Sequence, residues 1–262
     1  MPNSGSEGLS IEAIPAFSDN YIWLLRGNGN DCAVVDPGEA EPVLRRLDKE
    51  GLNLRYILLT HHHFDHIGGA GNLLEHFPEA KAFGPVDDRI DCEYTSCSEG
   101  ETVDLQHLGL QLQVIEVPAH TRSHIAFHGQ GLLFCGDTLF SVGCGKLFEG
   151  TPQQMQSSLD KLAALPPETE IYCGHEYTQS NCRFALKVEP ENKALRAKAD
   201  ATDNLRSEGR ITLPSTLGEE LEVNPFMRTR VDSVVAAARQ HDPDANPGAA
   251  VLGVIRRWKD TQ

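Results

Sequence analysis

Residues 60–66 read Thr-His-His-His-Phe-Asp-His, which sets four histidines and one aspartate within the six positions 61–66, directly behind an apolar run. In an extended loop, alternate side chains point the same way, so His61 and His63 can share one cation. Asp65 and His66 are neighbours that point differently, so they can face a second cation beside the first. Imidazole and carboxylate donors suit Zn²⁺, Fe²⁺ or Mn²⁺. His120, Asp137 and His175 can complete two such sites, and Asp137 is a natural bridge because a carboxylate has two oxygens. Two ions roughly 3.5–4 Å apart can hold a hydroxide between them and polarise a carbonyl. The other histidines, His62, His76, His107, His128 and His241, read as ordinary surface or core residues.

Short apolar runs must position these groups. Residues 21–27 and 31–38 read as two strands joined by a Gly-Asn-Gly-Asn turn, and 55–60 and 110–118 as further strands. Residues 131–137 and 170–175 complete the strand set. Four of these runs lead into a ligand-type residue: His61, His120, Asp137 and His175. Strands ending in polar loops along a shared sheet edge are how α/β proteins build sites. Helices are expected over 41–51, over the run that stops at Pro78, and over 151–165, the last with Thr151 as N-cap and Pro152 at its first position. Beyond about residue 180 the period is helical, with no strand-like runs. This predicts a smaller helical domain, with a division at 1–177 and 178–262.

The runs VVDPG, THHHFDHIGG, PAHTRSHIAF, FCGDTLF and CGHEYT resemble, in order, the motif set of the metallo-β-lactamase fold. The resemblance implies an α/β fold, a four-layer αββα sandwich with its site at one edge. GDTLFSVGCGKLFEG, CGHEYTQSN, NPFMR and the terminal RRWKD resemble the glyoxalase II branch, the hydroxyacylglutathione hydrolases. It implies one ion held by His61, His63 and His120. The other would be held by Asp65, His66 and His175, with Asp137 bridging. Two divalent ions per chain follow, zinc foremost, with iron or manganese as alternatives. Lys146, Tyr177, Arg256 and Lys259 match residues that hold glutathione. The sequence departs from the pattern twice: Ala119 stands where glycine is usual, and Phe148 where some members carry tyrosine.

The implied reaction is hydrolysis of S-(2-hydroxyacyl)glutathione thioesters, such as S-D-lactoylglutathione, to glutathione and D-lactate, a step of methylglyoxal degradation. Asp65 is the catalytic residue, a ligand that also accepts a hydrogen bond from the attacking hydroxide. The leaving thiol, with a pKa near about 8.5, departs as thiolate, so no general acid is needed. His124 is expected to support the ligands without being one. A mononuclear-iron persulfide dioxygenase of the same fold is the alternative.

The net charge of −15 disfavours nucleic acid as a partner, and a glutathione thioester is the expected one. No run approaches the roughly 18–20 apolar residues of a membrane span, and no signal peptide is read at the start. Seven cysteines, an odd number without a CxxC pair, fit a reducing cytoplasm better than a disulfide framework. A cytoplasmic monomer is expected, and the first eight residues read as a mobile tail.

Overall fold

The computed structural model describes residues 8–262, so the tail expected at the start lies, Gly8 apart, outside the described residues. The described chain divides into two compact units. The first reaches Glu116 and resumes over Ser123–Gly136; the second comprises Val117–Arg122 and Asp137–Gln262.

The first unit opens with β1 (Ser10–Ala16), β2 (Asn20–Arg26), β3 (Asp31–Val35), helix α1 (Ala40–Glu50) and β4 (Asn53–Leu58). There follow α2 (Phe64–Ile67), α3 (Ala70–His76), β5 (Lys81–Pro85) and β6 (Thr95–Cys97). These six strands form one sheet in sequence order. β1, β2 and β3 pair antiparallel, whereas β3 through β6 run parallel. β2 is buried along almost its whole length. That is why NYIWLLR is a continuous apolar run rather than an alternating one. α1 turns Val43 and Leu47 inward and ends at Gly51, whose φ of 64° is the left-handed C-cap that glycine adopts without strain. With Leu73 of α3 these residues pack on Ile22, Leu24, Val34 and Ile57 of the sheet.

The unit continues with β7 (Thr102–Leu105), β8 (Leu110–Glu116), β9 (Ile125–Gly129) and β10 (Leu132–Gly136), each antiparallel to the next. β8 alternates buried and exposed residues over LQLQV, the period of a strand with one face on the core.

The second unit starts with a hairpin of β11 (Leu139–Phe140) and β12 (Gly143–Cys144). It continues with α4 (Pro152–Ala163), β13 (Glu170–Cys173), α5 (Thr178–Val188), α6 (Lys193–Ser207) and β14 (Ser215–Thr216). α7 (Leu217–Val223), α8 (Asp232–Arg239) and α9 (Ala249–Asp260) complete it. α5 packs on α6, and α9 on α4 and α8. The region beyond residue 180 is helical as expected, except that Ser215–Thr216 pairs with β13. Strand β1 was not foreseen, because two of the apolar residues of SIEAIPA are weak strand-forming alanines and Pro15 interrupts the run. Nor was α5, which buries mixed residues, Thr178, Asn181 and Cys182 beside Phe184. All seven cysteines are free, and burial pushes the thiols of Cys32 and Cys173 up to about 12. No described helix is long and apolar enough to cross a membrane.

α4 begins where the sequence places it. Thr151 Oγ1 accepts from the Gln154 amide at 3.2 Å, and the Gln154 side chain accepts from the Thr151 amide at 2.9 Å. Two of the four unpaired amides at the helix start are thereby satisfied. Replacing Thr151 by alanine is expected to lower stability by about 1 kcal/mol. The midpoint of urea unfolding measures this, with the m-value unchanged.

Candidate metal centre

The first unit carries His61, His63, Asp65 and His66. β4 ends at Leu58, so the ligand loop leaves the parallel sheet at the carboxyl end of a strand. The loop is not extended throughout, as the sequence reading assumed. His63 is the N-cap of α2, and Asp65 and His66 lie on its single turn. A helical turn, rather than strand alternation, is what separates that pair from His61 and His63. His61 Nε2 lies 3.1 Å from His63 Nδ1, so two ring nitrogens converge on one point. His66 Nε2 lies 3.5 Å from Asp65 Oδ2.

Asp36 orients this group. Its Oδ1 accepts from the Thr60 amide at 2.8 Å and its Oδ2 from the Thr60 hydroxyl at 2.7 Å. The same Oδ2 stands 3.0 Å from His66 Nδ1. A carboxylate can only accept, so the His66 proton sits on Nδ1 and its Nε2 keeps a lone pair. The Thr60 hydroxyl has given its proton to Asp36, so toward His61 Nδ1, 3.0 Å away, it also can only accept. His61 thus keeps its proton on Nδ1 and a lone pair on Nε2, as a metal donor would. Hydrogen bonds behind the ring commonly aim a ligating histidine in this way. Asn20 donates to Asp65 Oδ2 at 3.0 Å and to the Asp65 carbonyl at 3.2 Å, which fixes the remaining carboxylate. His124 is fully buried and stacks on His61 with ring centres 4.5 Å apart at 16°. It therefore packs against a candidate ligand.

A second acidic hub braces the loop. The buried Asp87 accepts from Arg89 at 2.7 Å on each oxygen and from the Ser123 hydroxyl, and it lies 3.4 Å from His62 Nδ1. Burial would push its carboxyl up, but the Arg89 and Ser123 bonds prevail and hold it well below the usual carboxylate range. His62 thus ties the stretch between the candidate ligands His61 and His63 to Asp87. His107 and His76 are spent locally, on Tyr56 Oη at 2.6 Å and on the Asn72 carbonyl at 2.9 Å.

The second unit carries His120, Asp137 and His175. Asp137 follows β10 directly, and His175 stands two residues past β13. His120 stands four residues past the end of β8. The ligand-bearing strands therefore do not all belong to one sheet: β4 lies in the first, and β8 and β10 lie in the second meander. A single oxygen, Asp137 Oδ2, stands 3.4 Å from His120 Nε2 and 3.3 Å from His175 Nε2. His120 Nδ1 donates to the Lys146 carbonyl at 3.0 Å, so its Nε2 too is aimed forward with a lone pair. Two imidazole nitrogens sharing one carboxylate oxygen fit divalent ions of the borderline class. Ala119 takes a φ of 151°, in the region that favours glycine, which explains why glycine is usual there. Gly150 makes this possible, since a Cβ on it would come within 2.4 Å of the Ala119 Cα.

The expected substrate contacts also belong to the second unit. Tyr177 stacks flat on His175, with ring centres 4.6 Å apart at 3°. Phe148 is 63% exposed and packs edge-on against His120 at 5.2 Å. Lys146 is exposed, just past the hairpin. Arg256 is only 4% exposed; it donates to the Cys144 carbonyl at 2.9 Å and to Asp260 at 2.8 Å. Lys259 donates to Asn181 Oδ1 and lies 5.9 Å from the Phe184 and Phe226 rings. Burial, followed by the neighbouring charge of Arg256, pushes the Lys259 ammonium down to about 8.

Asp36, Asn20, Asp87 and Asn181 escaped the residue-level reading, because each acts through another side chain. The Asp-Pro-Gly turn after β3 was the available signal for Asp36. Its φ of 52° is one that aspartate tolerates better than most side chains.

Comparison with known proteins agrees with this geometry. The family model described as metallo-beta-lactamase superfamily matches residues 16–92 and 96–175. The model described as hydroxyacylglutathione hydrolase C-terminus matches residues 176–262. The hydroxyacylglutathione hydrolase of Aeromonas hydrophila subsp. hydrophila is 52% identical, covering 95% of this chain and 98% of its own. Among solved structures, ETHE1 from Myxococcus xanthus superposes with a TM-score of 0.65 at 22% identity, covering 97% and 98% of the two chains. TTHA1623, solved in a di-iron-bound form, gives a TM-score of 0.57 at 25% identity over 79% of this chain and 94% of its own.

Asp36→Asn keeps a residue suited to the left-handed backbone but puts an amide where His66 needs an acceptor. Metal affinity is expected to fall by about 10–100-fold. Titration with a competing chelator measures this, while circular dichroism is expected to show an unchanged fold.

Proposed function

Since the chain belongs to the hydroxyacylglutathione hydrolase family of the metallo-β-lactamase superfamily, we propose how its residues divide the work of that hydrolysis. The protein is a thioester hydrolase that cleaves S-(2-hydroxyacyl)glutathione, and S-D-lactoylglutathione is the substrate proposed, within methylglyoxal degradation. The observation that carries this reading is the donor set itself, with His61, His66 and His120 each aimed by a hydrogen bond at the far ring nitrogen.

The proposed centre binds two divalent ions, with zinc as first choice. His61, His63 and His120 would hold one; Asp65, His66 and His175 the other, with Asp137 between them. The placement of Asp137 Oδ2 between two imidazoles supports the bridge, and the di-iron form of TTHA1623 supports the count of two. When bound, such a pair supplies a nucleophilic hydroxide at neutral pH and polarises the thioester carbonyl. Asp65 is the catalytic residue of the chain. Asn20 occupies one face of its Oδ2, which orients the carboxylate to accept a proton-bearing nucleophile. Lys146, Tyr177, Arg256 and Lys259 would hold the glutathione moiety, which is anionic, against a protein charge of −15. Local positive charge is therefore needed where the substrate docks. Phe148 keeps the ring of a tyrosine without its hydroxyl, so it would contribute contact but no hydrogen bond.

Functionally, residues 1–177 would form the catalytic domain and 178–262 the substrate-binding domain, a division supported by the family-model boundary at 175/176. A cytoplasmic monomer is proposed, in keeping with seven free cysteines. The alternative, a persulfide dioxygenase, is not favoured, because the relatives at 50–52% identity are named as hydroxyacylglutathione hydrolases.

The test is incubation of metal-loaded protein with S-D-lactoylglutathione, following loss of thioester absorbance. Hydrolysis is expected, and Asp65→Ala is expected to abolish it while the fold persists. Stable thioester with the wild-type protein would refute the reading. Lys259 supplies a separate check. Its ammonium is charged below about 8 and neutral above, so kcat/KM for the glutathione thioester is expected to fall as pH rises through that value. The break should vanish in Lys259→Ala, and KM should rise several-fold in Arg256→Ala/Lys259→Ala, while a small neutral thioester shows neither change.

A further inference from the structure

Several backbone groups of the β11–β12 hairpin are held by side chains from the helical region that follows it. Asn224 Nδ2 donates to the Phe140 carbonyl at 3.2 Å and to the Gly143 carbonyl at 3.0 Å. Asn181 Nδ2 donates to the Ser141 carbonyl at 2.8 Å, and Arg256 takes the Cys144 carbonyl. Gly143 permits this grip, because a Cβ there would meet Asn181 Nδ2 at 2.5 Å. The tip residue Val142 is fully buried with a φ of 59°. A β-branched side chain in that region is a true outlier, and it persists only when its surroundings over-determine it.

Glu220 is what over-determines it. This carboxylate is 0% exposed, and its Oε2 accepts the Val142 amide at 2.7 Å and Asn224 Nδ2 at 3.0 Å. Burial pushes the Glu220 carboxyl up, so the fold tolerates a costly group at this position. Neither the ligand set nor the substrate contacts use it. The hairpin in turn carries Phe140, whose ring stands edge-on to His175 at 5.9 Å and to Tyr177 at 5.2 Å.

We propose that Glu220 is a positioning residue: it clamps the Val142 amide, and through the hairpin it sets the Phe140 ring that orients His175 and Tyr177. This rests on the reading of His175 as a metal ligand and Tyr177 as a substrate contact. Glu220→Gln retains an acceptor for Val142, whereas Glu220→Ala removes it. The expected outcome for Glu220→Ala is zinc affinity lower by at least about 10-fold, read by chelator competition, together with a several-fold rise in KM. Glu220→Gln is expected to stay close to wild type in both. If Glu220→Ala fails to fold, Asn224→Ser, which withdraws the donor to Phe140 and Gly143, is expected to show the same paired loss.

The proposal is overturned if Glu220→Ala, or Asn224→Ser in its place, loses thermal stability alone and keeps wild-type zinc affinity and KM. It is overturned equally if Glu220→Gln is as damaging as Glu220→Ala. Wild-type protein assayed alongside reports on the hydrolase reading separately. Its failure on the thioester would strike that reading, while zinc affinity would still decide the role of Glu220.

Discussion

One buried carboxylate governs the geometry of the first ligand group. Asp36 leaves β3 in a left-handed conformation, and both of its oxygens are consumed by Thr60 and His66. A buried charge is costly unless fully hydrogen-bonded, so each of these partners is held in place by the free energy that its loss would cost. Through them Asp36 fixes the protons on His61 and His66 and turns their Nε2 atoms outward. The parallel pairing of β3 with β4 makes this possible, because it delivers both strand ends to the same side. Gly38 belongs to the same constraint: a Cβ there would come within 2.0 Å of the Asp65 carbonyl, so the turn after Asp36 and the helix bearing Asp65 are in backbone contact.

The second ligand group is built on the same logic with a different acceptor. A backbone carbonyl, that of Lys146, takes the Nδ1 proton of His120. The residue proposed to hold substrate thus also aims a ligand, through its main chain. Gly145 is needed for that approach, since a Cβ on it would stand 3.0 Å from His120 Nδ1. The loop from Asp137 to Phe148 therefore carries a proposed ligand, the carbonyl that bonds His120 and a proposed substrate contact along one short stretch, and side chains from the C-terminal region bond its backbone. Buried polar residues there, Asn181, Glu220, Asn224 and Arg256, each bond the hairpin backbone, and Asn224 also bonds Glu220. This accounts for the low exposure of Arg256, which serves the loop as well as carrying charge.

What the sequence determined by itself was the chemistry. Thr-His-His-His-Phe-Asp-His is legible because local spacing alone brings metal-donor groups together. His120, Asp137 and His175 stood out as candidates because each follows an apolar run. The N-cap at Thr151 was legible for the same reason, since Thr151 and Pro152 signal a helix start by adjacency alone. Tertiary structure decided what depends on distant partners. Asp36 acts on a loop 24 to 30 residues away, and Glu220 on an amide 78 residues away. No local period records such pairings, and a lone aspartate or glutamate reads as a surface charge until the fold buries it. The sequence also could not tell an extended loop from the one-turn helix α2, because four residues are too few to carry a helical period. The register of the ligands follows from that turn. It is fixed by packing against Gly38 and Asn20, contacts that exist only once the sheet has formed.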